Sequence, residues 1–174
     1  MNAVDGRTLR RGRYDEAAGA ADPDLALRQW DRLVEAATRA GDVEELRAAV
    51  GQPDTRSRLM AVLGASATLG DQLVANPTQW RCLVTPPAAL PHRGVADVAG
   101  LRSSYRQELL RIAADDLTGV ADVEQVMARL SDLADATLAA AYRLAGGDGS
   151  AAPLAVVAMG KCGGRELNYV SDVD

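Results

Sequence analysis

The sequence predicts an α + α/β chain, in which a mostly helical N-terminal domain precedes the truncated start of an α/β domain. Three observations carry this. Apolar residues recur at helical spacing from Leu25 to Leu144. The segment 146–153 (GGDGSAAP) then interrupts the pattern as a linker. Beyond it the period changes: Leu154–Met159 is a continuous apolar run bounded by Pro153 and Gly160, as in a buried strand. The expected divisions are a mobile tail at 1–21, a helical domain at 22–145, the linker at 146–153, and the start of the second domain at 154–174.

Composition narrows the class. Nearly half of the 174 residues are hydrophobic, yet there is no Phe, so Ala, Leu and Val must build the interior, which favours close-packed helices. The net charge of −5 lacks the basic footprint of a nucleic-acid binder. No apolar run is long enough to span a bilayer, and the N-terminus has no signal-peptide core. Cys82 and Cys162 are far apart and form no CxxC pair, which fits free thiols in a reducing cytoplasm.

The helices can be placed in order. Residues 1–21 carry few large apolar groups and cannot offset the entropy of ordering. Asp22 caps a helix with Pro23 in its first turn and Leu25, Trp30, Leu33, Val34 and Ala37 on one face, ending at Gly41. Asp42–Glu45 reads as a capping box for a short helix that stops near Gly51. From Asp54 a longer pattern runs to Val74, and Gly64 and Gly70 suggest two helices meeting at a bend. Asn76-Pro77 opens a turn bearing Trp80, Leu83 and Val84. Thr85–Gly94, with three prolines, is an irregular connection. Two long helices follow, Asp97 to about Thr118 and Asp122 to Ala145, made antiparallel by a short loop at Gly119.

The chemistry is concentrated after the apolar run. The glycines of Gly160-Lys-Cys-Gly-Gly164 let the backbone turn sharply and approach a ligand. A short helix starting at Gly163 or Gly164 would aim its N-terminus at phosphate, with Lys161, the sole lysine, beside it. If Val170–Asp174 is extended, Asp172 and Asp174 face the same way and offer Mg²⁺ a pair of hard oxygen ligands. Metal-assisted phosphoryl or nucleotidyl transfer needs such a pair. The spacing does not fit a Walker A loop, and it is G-x-x-G-G where a dinucleotide fingerprint needs G-x-G-x-x-G. A glycine turn followed by D-x-D fits the nucleotidyltransferase plan.

At these residues a family becomes recognisable. AMGKCGGRELNYVSDVD resembles the signature of the glutamine-synthetase adenylyltransferase family, close to G-K-[LC]-G-G-x-E-L-x-Y-x-S-D-x-D. VLGASATLGDQLVANPTQW resembles that family's stretch before the catalytic domain. The segment from Leu101 to Ala145 resembles its long helical pair. The resemblance covers roughly 22–174. It implies a bifunctional enzyme that adds AMP to a tyrosine of glutamine synthetase and removes it by phosphorolysis. Residues 154–174 would then open a nucleotidyltransferase domain. Asp172 and Asp174 would be the catalytic Mg²⁺ carboxylates. Gly160, Lys161, Gly163, Gly164 and Ser171 would line the nucleotide phosphates, with ATP, ADP and phosphate as substrates or products. Glutamine synthetase would be the partner, with a nitrogen-signalling regulatory protein as a further candidate. Family members carry two such domains, the first tied to AMP removal and the later one to its addition. Here the sequence stops at the second aspartate, which suggests an N-terminal fragment that is incomplete as an enzyme. Cys162 and Val170 are conservative departures.

A non-catalytic helical interaction module is the alternative. A glycosyltransferase D-x-D site lacks support from GKCGGREL. Elsewhere the expectations are structural: Trp30 and Trp80 pack in the core, Cys162 packs as a small apolar group, and Arg165 and Glu166 lie on the surface or pair with a helix. His92 sits in an exposed loop, and Arg106, Glu108, Arg111 and Asp115 form a solvated helix face.

Overall fold

The computed structural model describes residues 17, 19–84, 92, 94–146 and 154–171. Regular structure among them is helical: α1 (Pro23–Ala40), α2 (Val43–Val50), α3 (Pro53–Ala65), α4 (Ala67–Ala75), a 3-10 segment (Pro77–Leu83), α5 (Val98–Leu117), α6 (Val123–Leu144) and the single turn α7 (Gly160–Gly163). The expected linker beyond Gly146 and most of the expected tail and of the proline-rich connection lie outside the described residues. No helix among those described is long and apolar enough to cross a membrane.

Aspartates start the long helices because each carboxylate takes an amide that has no helical partner. Asp22 accepts from the Leu25 amide at 2.9 Å and Asp97 from that of Gly100 at 2.7 Å. Asp122 accepts from Gln125 at 2.8 Å, and Gln125 Oε1 accepts the Asp122 amide at 3.0 Å, which completes the capping box. Gly41 ends α1 at φ 75°, where a side chain would be strained. Ser66 separates α3 from α4 and caps α4 with its hydroxyl, so the expected bend is a true break.

The capping box expected at Asp42 does not form. Helix α2 begins where expected, but the Asp42 carboxylate accepts from Trp80 Nε1 at 2.8 Å and from both ends of the Arg81 guanidinium. Arg81 reaches Glu45 as well, at 2.6 Å, and lies over the Trp80 ring. A forked, charge-assisted pair outweighs one amide at a helix start. The same guanidinium holds the buried Asp42 carboxyl below its ordinary pKa.

Two cores result. The larger joins Leu33, Leu46, Leu59, Leu63, Leu73, Trp80 and Leu110, with Trp30 packed at its edge. The smaller joins Ile112, Val126, Leu130, Leu133 and Leu167. Gly64 and Gly70 are packing notches in the larger core. A Cβ on Gly64 would lie 2.6 Å from Ala20 Cβ and 2.9 Å from the Asp22 carbonyl oxygen, and one on Gly70 would strike the Gln29 side chain. Ala17 and Ala20, within the segment expected to be a mobile tail, are buried here.

The face expected to be solvated is an ionic network. Asp115 bonds Arg58 of α3 and, at 2.6 Å, Arg129 of α6. Glu108 pairs with Arg111 at 3.0 Å, and the Nε–H groups of Arg58 and Arg111 donate to the carbonyls of Leu83 and Cys82, each at 3.0 Å. The side chains of Glu108, Arg111 and Asp115 are all at most 16% exposed, so these pairs join elements where surface pairs would contribute little. Burial alone would push the Asp115 carboxyl up; hydrogen bonds from Arg129 and Arg58 outweigh it and hold the pKa low. Arg106 is exposed, as expected.

His92 is buried rather than exposed. Its Nε2 lies 2.9 Å from Thr137 Oγ1, and its Nδ1 lies 2.9 Å from Ser104 Oγ. The Thr137 hydroxyl already donates to the Leu133 carbonyl at 2.6 Å, so it accepts from His92 Nε2–H, and Nδ1 accepts from Ser104. The neutral ring thus joins α5 to α6. Burial pushes its pKa below the ordinary value, and Glu108 opposes this only partly.

Two outcomes follow from this packing. Gly64→Ala gains about 1 kcal/mol of helix propensity but incurs an overpacking cost of about 1–3 kcal/mol. With a backbone oxygen among the clashing atoms, a net loss of about 1 kcal/mol is expected in urea unfolding; a variant as stable as the parent would show that Ala20 does not pack there. His92 is the only histidine, and the unfolded chain takes up its proton near the unperturbed pKa of about 6.5, before the folded chain does. Stability should therefore be flat above that pH and fall as pH drops toward the lowered folded pKa. His92→Gln should abolish the slope between pH 7 and 5 in pH-dependent thermal melts; a slope that persists would place its source elsewhere.

Candidate nucleotide and metal site

The expected strand at Leu154–Met159 is not formed among the described residues. No described residue pairs with it in a ladder, and its apolar side chains are exposed, Val157 by 78% and Met159 by 80%. An apolar run signals a wish for burial, but a strand exists only with a hydrogen-bonded neighbour.

The short helix also begins earlier than expected. It starts at Gly160, whose φ is 57°, and Gly163 and Gly164 lie at its end. A Cβ on Gly163 would sit 2.4 Å from the Ala158 carbonyl oxygen, so this glycine allows the chain to fold back on itself. The turn closes as a Schellman motif. The Glu166 amide donates to the Lys161 carbonyl at 2.7 Å and the Arg165 amide to that of Cys162 at 3.1 Å. The left-handed residue this motif needs is Arg165, at φ 60°, although two glycines stand just before it. A non-glycine residue there costs roughly 1–2 kcal/mol. Its guanidinium makes a forked pair with Asp132 of α6, at 2.6 and 3.0 Å.

From Arg165 onward the chain meets the helices at alternate residues. Leu167 is 4% exposed and packs with Ile112, Val126, Leu130 and Leu133, while its amide donates to Ser131 Oγ at 3.4 Å. Tyr169 Oη donates to Asp116 Oδ2 at 3.0 Å. Burial and the Asp116 carboxylate push the phenol's pKa up, so it remains a donor at neutral pH. Glu166, Asn168 and Val170, between these contacts, are exposed. Cys162 packs at the edge of the smaller core near Asp135, as expected for a small apolar group. Both cysteines are free, and burial pushes the Cys82 thiol to about 11, far from a reactive thiolate.

Of the residues expected to line phosphates, Gly160, Lys161 and Ser171 come together. They line a groove of about 1010 Å³ with Asp135, Leu138 and Tyr142 of α6. Gly163 and Gly164 do not line it. Lys161 is exposed, with no carboxylate partner among the described residues. Ser171 closes a turn: its hydroxyl donates to Asn168 Oδ1 at 2.9 Å and accepts the Asn168 amide at 3.1 Å. Asp172 and Asp174 lie outside the described residues. Among those described, no three His, Cys, Asp or Glu side chains cluster to hold a metal. Arg165 is expected only at the surface or in a helix pair, and the anchoring by Leu167 and Tyr169 has no local signal in the sequence.

Comparison with known proteins places these features. Residues 56–174 match the family model described as glutamate-ammonia ligase adenylyltransferase. The bifunctional glutamine synthetase adenylyltransferase/adenylyl-removing enzyme of Streptomyces avermitilis is 48% identical over 91% of the chain, and that of Streptomyces coelicolor 46% identical over 98%. The enzyme of that name from Mycobacterium tuberculosis is 42% identical over 89%. The chain spans only 18–19% of the length of these relatives. No solved structure matches it. The match over more than half of its residues, signature included, shows that this chain belongs to the glutamate-ammonia ligase adenylyltransferase family.

Proposed function

We propose that this chain is part of a nucleotidyltransferase that adds AMP to a tyrosine of glutamine synthetase or removes it by phosphorolysis; its relatives are named as glutamine synthetase adenylyltransferase and adenylyl-removing enzymes. The observation that carries this is the seated glycine loop, with Gly160, Lys161 and Ser171 along one groove immediately before Asp172 and Asp174. In removal, a phosphate oxygen attacks the AMP phosphorus, the bond to the tyrosine oxygen breaks, ADP forms and the phenol regains its proton. In addition, the tyrosine oxygen attacks the α-phosphorus of ATP and pyrophosphate leaves. Gly160 gives the backbone access to the groove, and Lys161 brings a full positive charge to a ligand's phosphates.

Two carboxylates two residues apart are a donor set suited to Mg²⁺. Asp172 and Asp174 would hold it and begin the nucleotidyltransferase domain with the apolar run before the loop. When bound, the ion neutralises charge developing on phosphate oxygens. Glutamine synthetase is the protein substrate in this reading, a nitrogen-signalling regulatory protein is the further partner it admits, and the cytoplasm is its setting.

Asp172→Asn in the full-length protein tests the reading. Loss of a partner one shell removed from a metal costs about 10–100-fold, and loss of a direct ligand should cost at least as much. ADP release from adenylylated glutamine synthetase and phosphate, or AMP transfer from ATP, should drop accordingly. Undiminished turnover in both assays would remove the metal assignment and leave a helical interaction module as the better description.

A further inference from the structure

We infer that Arg165, Leu167 and Tyr169 are positioning residues that fix the glycine loop onto the α5–α6 hairpin. The helical domain is then a structural part of the site. This rests on the function proposed above. Each of the three meets a different group on the helices, although Leu167 alone among them is buried. Arg165 forks onto Asp132, Leu167 fills the smaller core, and Tyr169 donates to Asp116. Asp116 is the neighbour of Asp115, which binds Arg58 and Arg129, so the tyrosine's acceptor stands on a helix turn locked from two sides. Ser171, two residues past Tyr169, is bound back to Asn168 by side chain and backbone.

None of these three side chains lines the groove with Gly160, Lys161 and Ser171. Their effect on chemistry is through placement alone, where a shift of about 1 Å can cost about 100-fold. Removing the Tyr169 hydroxyl should therefore lower kcat and leave the KM for glutamine synthetase unchanged, because that hydroxyl is bonded to Asp116 within the chain.

The test uses full-length protein carrying Tyr169→Phe, Asp116→Ala, both together, or Asp116→Asn, which retains an acceptor oxygen. In whichever direction the parent is active, Tyr169→Phe and Asp116→Ala should each reduce kcat about tenfold or more. The double variant should be no worse than either single one, and Asp116→Asn should restore most of the rate. Amide hydrogen exchange over 160–171 should quicken in the two single variants, while the thermal midpoint stays within about 2 °C. Unchanged kcat in Tyr169→Phe, additive losses in the double variant, or losses that track the thermal midpoint would each overturn the inference. A full-length parent with no adenylyl transfer or removal would overturn the proposed function instead, and hydrogen exchange would still report whether the loop is seated by Asp116.

Discussion

Helix α5 has to satisfy two cores and a charge network at once, and the position of everything after it depends on that. Leu110 and Ala114 enter the larger core, while Ile112 enters the smaller one. With 3.6 residues per turn, those positions point to different sides of the helix, and Asp115 and Asp116 fall between them near its end. Asp115 ties that end to α3 and α6 through Arg58 and Arg129. A half-buried carboxylate between two guanidiniums is costly to leave unpaired, so it acts more as a register pin than as a source of net stability. His92 adds a second link between α5 and α6. The helix pair is thereby fixed in rotation, and Asp116, Ser131 and Asp132 reach the glycine loop from set positions.

What could be read from the sequence was mostly local. Asp22, Asp97 and Asp122 cap helices because the amide each binds is three residues away, so the pattern contains both partners. Asp42 looks like the same signal but is claimed by Trp80 and Arg81, which folding brings from 38 and 39 residues away. Glu108 and Arg111 read as a solvated pair because i,i+3 spacing says nothing about what covers them. Gly64 and Gly70 read as weak points in a helix, whereas they are where neighbouring segments approach too closely for a Cβ. His92, preceded by three prolines in the sequence, is held by Ser104 and Thr137, 12 and 45 residues away.

The site divides along the same line. Of the five residues the signature groups, Gly160, Lys161 and Ser171 line one groove and Gly163 and Gly164 do not, and that much of a turn is encoded within a dozen residues. The supports beneath it could not be named, because Asp116, Ser131 and Asp132 lie 33 to 53 positions upstream of the residues they hold. The helix start was misplaced for a related reason. Of the three nearby glycines Gly160 is left-handed at the helix start, while the left-handed position at its end falls to Arg165, which also pairs with Asp132. Strain of this kind survives only where the surroundings over-determine it.

The remaining asymmetry lies in the two apolar parts of the tail. Leu167 is buried at 4% exposure, while Leu154, Val156, Val157 and Met159 are each at least 65% exposed. Both are apolar, so hydrophobicity alone does not separate them; what differs is the supply of neighbours. Leu167 has the smaller core beside it, already pinned by α5 and α6. A run such as Leu154–Met159 suits a strand covered on both faces, and covering it requires ladder partners and a second layer. In the function proposed here those belong to the nucleotidyltransferase domain, of which a chain spanning 18% of its relative's length carries a small part. Among the described residues the loop is therefore held from the helical side, through Arg165, Leu167 and Tyr169.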